Sequence, residues 1–147
     1  MHAVQTPYVG MWIQIKHRFG PRITEWIISA IMTLWGAVLL LPSDTFEGDN
    51  FVFFKAIMSE NSWGIFMMFV GFSRIIGLII NGSRKKVTPW IRVVSAGIGF
   101  ILWVGIICSF AMSGVISTWL AVYPVIAITE LVNIWRAATD AGGSRVP

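Results

Sequence analysis

Apolar residues in this chain fall in four long blocks, Ile23–Leu41, Trp63–Ile80, Val93–Met112 and Val115–Trp135. Each is close to the ~20 residues that an α-helix, rising about 1.5 Å per residue, needs to cross a hydrocarbon core of roughly 30 Å. The polar breaks between them read as helix punctuation. Pro42, Ser43 and Asp44 stop the first block, Asn81 and Gly82 end the second, and Pro89 opens the third, where a missing amide donor costs least. Only Ser113 and Gly114 separate the third block from the fourth, which predicts a tight antiparallel hairpin. No period of solenoid length and no low-complexity tract appears. The pattern predicts an all-α fold over residues 1–147: one membrane domain, four transmembrane helices in an antiparallel bundle.

Two shorter segments mix apolar and polar positions. In DNFVFFKAIMSE, Phe51, Phe54, Ile57 and Met58 share one helical face, and Asp49 or Asn50 stands where an N-cap belongs. An interfacial helix over 50–60 is expected there. VGMWIQIKHRF, near the N-terminus, has the composition of an anchor on the opposite membrane surface.

Composition agrees with burial in lipid. The chain is 56% hydrophobic and 12% charged, with a mean hydropathy of +0.74, about half the charge of an ordinary soluble domain. The basic residues set an orientation. Lys16, Arg18, Arg22, Arg84, Lys85, Lys86, Arg92, Arg136 and Arg145 fall on one side of the expected bundle. The loop Pro42–Ser62 has only Lys55 among Asp44, Glu47, Asp49 and Glu60. By the positive-inside rule both termini are cytoplasmic. This topology accounts for the net charge of +4 without invoking nucleic acid. The partners expected are the lipid bilayer, whose anionic headgroups attract such loops, and a second copy of the chain or another membrane protein. The first block exceeds a signal-peptide core and LLLPSDTF offers no small-residue cleavage site, so it is read as a retained span. Trp26, Trp90 and Trp135 at one set of ends, and Trp63 and Trp119 at the other, form the expected aromatic belts, with Trp35 and Trp103 as deeper packing residues.

Four charges lie within or at the edges of the blocks: Glu25, Arg74, Arg92 and Glu130. Arg74 is roughly 10 Å from Asn81, and Glu130 roughly 9 Å from Arg136, at the same end of helices running in the same direction. The two therefore share a depth. Their helical neighbours are small or polar: Gly71 and Gly77 beside Arg74, Ala127 and Asn133 beside Glu130, Ser29 and Gly36 on the stripe of Glu25. These faces suit helix contact, away from lipid. An Arg74–Glu130 ion pair, alone or joined by Glu25, is the expected arrangement. The alternatives are a snorkelled arginine and a polar path for a proton, an ion or a cationic substrate, since intramembrane charges are functional candidates. Ser73–Gly77, Ser95–Gly99, Gly105–Ser109 and Ser117–Ala121 add small-residue spacings used in helix packing. Pro124 is expected to kink the fourth helix.

Catalytic chemistry finds no constellation. His2 and His17 are the only histidines, and neither lies in a block, which leaves no embedded bis-histidine haem and no base for an intramembrane serine hydrolase. Cys108 is the only cysteine and is expected to be a small core residue. Asp44, Glu47 and Asp49 lack the ligand pattern of a calcium loop. No cofactor, metal site or enzymatic activity is expected.

The run GFSRIIGLIINGSRKKVTPWIR, with LLLPSDTF before it and ITELVNIWRAATDAG after it, resembles small four-span membrane proteins encoded in phage and prophage genomes of proteobacteria. The shared features are the intramembrane Arg74, the Asn81–Gly82 stop, the basic loop ending in Thr88–Pro89–Trp90, and the late acidic Glu130, over about residues 26–141. The resemblance brings no catalytic residues. It implies a bacterial inner membrane and phage-type tasks such as lysis or exclusion of competing phages. Three functions remain in view: a non-enzymatic module that associates with itself or a partner, a holin-like or ion-coupled permeation device, and an accessory subunit of a larger membrane complex.

Overall fold

A computed structural model describes residues 20–80, 88–114, 116 and 118–143. All regular structure among them is helical. Helix α1 (Ile23–Leu39, 17 residues) follows a 3-10 turn at Gly20–Arg22. Two more 3-10 turns, Thr45–Glu47 and Asp49–Phe51, lead into the short α2 (Val52–Ile57). Then come α3 (Glu60–Ile80, 21 residues), α4 (Thr88–Met112, 25 residues) and α5 (Trp119–Gly143, 25 residues). The last three are long and apolar enough to cross a membrane, and α1 is a shorter apolar helix. The N-terminal anchor segment, Lys16, Arg18, the Asn81–Gly82 stop, Arg84, Lys85, Lys86, Ser117 and Arg145 lie outside the described residues.

Local chemistry sets the boundaries. After α1, the amides of Leu40 and Leu41 bond back to Ala37 and Val38 at 3.1 Å, and Pro42 prevents continuation. Asp44 turns the chain with a left-handed φ of 44°, and the Glu60 carboxylate accepts the amides of Thr45 and Phe46 at 2.9 and 3.0 Å. An acidic residue in the first turn of α3 thus complements the helix dipole and fastens the preceding loop. Ser59 caps α3 by accepting the Ser62 amide. The reversal between α4 and α5 is longer than the two residues expected. Gly114, with φ +68°, ends α4, and α5 starts only at Trp119. It then runs well past Trp135, because Ala137, Ala138 and Ala141 favour helix. Pro124 lies near the start of α5, inside the helix.

Helix α1 packs along α3 and α4 along α5, giving two hairpins that meet chiefly through α1 and α5, with a smaller contact between α3 and α4. The first hairpin is closed backbone to backbone. A Cβ on Gly36 would lie 2.5 Å from the Met68 amide nitrogen and 2.6 Å from the Gly64 carbonyl oxygen, and one on Gly71 would lie 2.6 Å from the Thr33 amide nitrogen. Such close approach is how helices gain packing in lipid, where burying apolar surface offers little.

Residues 46–54 fold back over the end of the bundle away from residues 20 and 143, here called the loop end. Phe51 and Phe54 turn inward, not toward a membrane surface. Phe51 meets Phe110 edge-on at 5.4 Å and Phe54 meets Trp63 at 4.9 Å. Asn50 accepts hydroxyl hydrogen bonds from Ser109 of α4 and from Ser113, just after it, at 2.5 and 2.8 Å. Helix α2 exposes Val52, Phe53, Lys55, Ala56 and Ile57, so Ile57 does not share the inward face of Phe51 and Phe54. Trp63 is likewise buried and donates to the Phe54 carbonyl, so it belongs to this cap and not to an aromatic belt, whereas Trp90, Trp119 and Trp135 are exposed. Beneath the cap, fully buried Trp103 packs against Trp35 and Tyr123. Cys108 is exposed, contrary to its expected place in the core; it lies on the side of α4 opposite Gly99, away from the small and polar residues that turn inward.

A buried charge network as the candidate functional site

Each of the four long helices contributes one charged side chain toward the bundle interior, near the end that holds residues 20 and 143, here called the terminal end: Glu25 from α1, Arg74 from α3, Arg92 from α4 and Glu130 from α5. Arg74 and Glu130 form a bidentate pair, Nη1 to Oε1 at 2.5 Å and Nη2 to Oε2 at 2.9 Å. Their side chains are 6% and 0% exposed. The planar guanidinium matches the carboxylate with two parallel hydrogen bonds, the strongest geometry available to such a pair.

Glu25 does not join that pair. It is held by Arg92, Nε to Oε2 at 2.9 Å and Nη2 to Oε1 at 2.5 Å. Arg92 also reaches Asp140 of α5 at 2.6 Å, tying three helices at one guanidinium. The reason is position: Arg92 enters at the very start of α4, on the terminal side of the Arg74–Glu130 pair, where the first turn of α1 and the last turns of α5 converge. A neutral bridge links the two layers. Asn133 donates to Glu130 at 3.3 Å, and its carbonyl accepts the Thr24 hydroxyl at 2.7 Å, one residue from Glu25.

Both bidentate pairs run between the hairpins, joining helices that are not principal packing neighbours. Gly99 makes room for this. A Cβ there would fall 2.1 Å from Glu130 Oε1 and 2.9 Å from Arg74 Nη1. Its role is clearance for an ion pair rather than helix-on-helix contact. The other small residues divide. Gly71 sits in the tight α1–α3 crossing, Gly105 touches the Phe54 ring, and Ser109 bonds Asn50. Ser95 bonds the Arg92 carbonyl of its own helix, and a Cβ on Gly77 would meet nothing within 4 Å.

Thr24, Asp140, Gly36 and Gly64 take part without having been marked as site residues from sequence. Gly36 does lie on the Glu25 stripe and Asn133 one turn from Glu130, but nothing in the chain couples Thr24 or Asp140 to their partners 109 and 48 residues away. At the loop end, the indole N–H of Trp103 is buried without an acceptor among the described residues, while neighbouring Tyr123 accepts from Trp35. An open groove is lined by Asp44, Glu60 and Asn61 among others, with the Glu60 carboxylate already bonded to two loop amides. Among the described residues no group of histidine, cysteine or acidic side chains is placed to hold a metal.

No protein family, curated protein or solved structure matches this chain.

Proposed function

We propose that the chain is a four-span protein of a bacterial inner membrane, with both termini cytoplasmic, that works as a non-enzymatic helical module, assembling with copies of itself or with a membrane partner. The observation that carries this reading is the pairing of all four interior charges with one another beneath an exterior of large apolar side chains. Phe69, Ile101, Val125 and Trp135 stand outward on α3, α4 and α5. Ionised groups bonded to each other in bidentate geometry serve to fix which helices are neighbours, and the surface left over is apolar. Helix α1, at 17 residues, is at the short end of the range that spans a bilayer, and Leu40 and Leu41 extend its apolar stretch. The likeness to phage-encoded membrane proteins supports a role in lysis or exclusion.

The test is expression in a bacterial host at graded levels, with cross-linking in intact membranes and continuous recording of membrane potential. Cross-linked multimers of the chain, or a stoichiometric foreign membrane protein, at unchanged potential support the module. Abrupt depolarisation that disappears in Arg74→Ala at equal membrane levels would replace it with a permeation device.

A further inference from the structure

The distribution of the four charges allows a second pairing. The first hairpin carries Glu25 and Arg74, the second Arg92 and Glu130, so each holds one acid and one base of the set. In the structure every bidentate pair crosses the seam: Arg74 to Glu130, Arg92 to Glu25. Partners inside each hairpin lie at similar depth in the first and about two helical turns apart in the second. Gly71 of α3 lies against Ser29 and Thr33 of α1. Arg74 is three residues from Gly71 toward the terminal end and Glu25 is four from Ser29 in the same direction, which places the two within about one helical turn of the same depth. In the second hairpin Arg92 already bonds α5 through Asp140. It lies roughly 10 Å along the axis from Gly99 and the Glu130 carboxylate beside it, a gap for two long side chains to close.

We propose that the four charges form a partner-exchange switch. In the closed state, seen here, the ion pairs bolt the hairpins together. In the open state Glu25 passes to Arg74 and Glu130 to Arg92, each pair now within one hairpin. The terminal end of the seam separates without leaving a charge unpaired in a low-dielectric surrounding, the large cost that ordinarily forbids such motion. The opposite end acts as the pivot, because Asn50 bonds Ser109 and Ser113 across the seam and Phe51 packs on Phe110. Both hairpins suit movement as units: the first is closed at Gly36, Gly64 and Gly71, the second along the full α4–α5 contact. The inference rests on the membrane-spanning reading.

Spin labels report the motion in full-length chain reconstituted in lipid vesicles. Gly20→Cys and Ala138→Cys, both exposed and one on each side of the seam, are introduced with Cys108→Ser. Two distance populations are expected. The double exchange Arg74→Glu with Glu130→Arg keeps the pair across the seam but sets two carboxylates together in the first hairpin and two guanidiniums in the second. It should leave the shorter population alone. A single population in the unexchanged chain overturns the switch even if the exchanged chain does not fold, and so does survival of both populations after the exchange. Flotation of the same samples separates the two failures: chain that does not float with the vesicles defeats the membrane reading, and floating chain with one distance defeats only the switch.

Discussion

Removing Arg74 should be among the most damaging single changes in this protein. Arg74→Ala takes away the 2.5 and 2.9 Å hydrogen bonds to Glu130, whose side chain has no exposure. Among the described residues, it leaves that carboxylate the 3.3 Å contact from Asn133 alone. Breaking a buried pair by deleting one partner costs about 3–5 kcal/mol, most of it the penalty of the stranded charge. Glu130→Ala should fall near the lower end of that range, because a stranded arginine has a long side chain that can reach for the membrane surface. The double variant strands neither, so it should be milder than the two single losses added, by roughly 1–3 kcal/mol. The assay is reversible unfolding of all four proteins in mixed micelles by detergent titration, followed by tryptophan fluorescence. Additivity within about 0.5 kcal/mol would refute the reasoning, for it would mean that neither charge depends on the other.

Other consequences follow from particular contacts. Gly99→Ala drives a methyl group against Glu130 Oε1 and should cost about 1–3 kcal/mol by overpacking, most of which disappears in the Arg74→Ala, Glu130→Ala background, as unfolding titrations would show. Gly71→Ala meets the Thr33 backbone whereas Gly77→Ala meets nothing, so the first should lower the thermal midpoint by several degrees and the second leave it nearly unchanged. Glu60→Ala leaves the amides of Thr45 and Phe46 without their acceptor and should cost about 1–3 kcal/mol, seen as faster hydrogen exchange at those two amides.

The helices were legible in sequence because apolar block length is a one-dimensional property, and so was the shared depth of Arg74 and Glu130, which needs only the rise per residue and the direction of each helix. Rotation about the helix axis was legible only where small or polar residues mark it. In α4, Arg92, Ser95, Gly99 and Ser109 share one side of the helix, with Cys108 opposite Gly99, but small-residue spacing alone does not show that Gly99 lies beneath an ion pair. The sequence leaves the partner of Glu25 open, because Arg92 stands at a block boundary, where a basic residue is already explained by topology; the structure gives Glu25 to Arg92. Of the stripe Phe51, Phe54, Ile57 and Met58, only Phe51 and Phe54 are buried, against an aromatic core, while Ile57 is exposed; a stripe suited to a membrane surface suits an aromatic core equally well.

The most direct test of the account is the sidedness of the two hairpins. Asn61→Cys in the loop-end segment and Thr139→Cys near the end of α5, both exposed positions, would each be placed in a Cys108→Ser chain and treated with a membrane-impermeant maleimide on intact bacterial spheroplasts. Labelling at position 61 in intact spheroplasts, and at position 139 only after lysis, is the expected result. Labelling of both positions before lysis, or the reverse order, would contradict a four-span bundle with cytoplasmic termini.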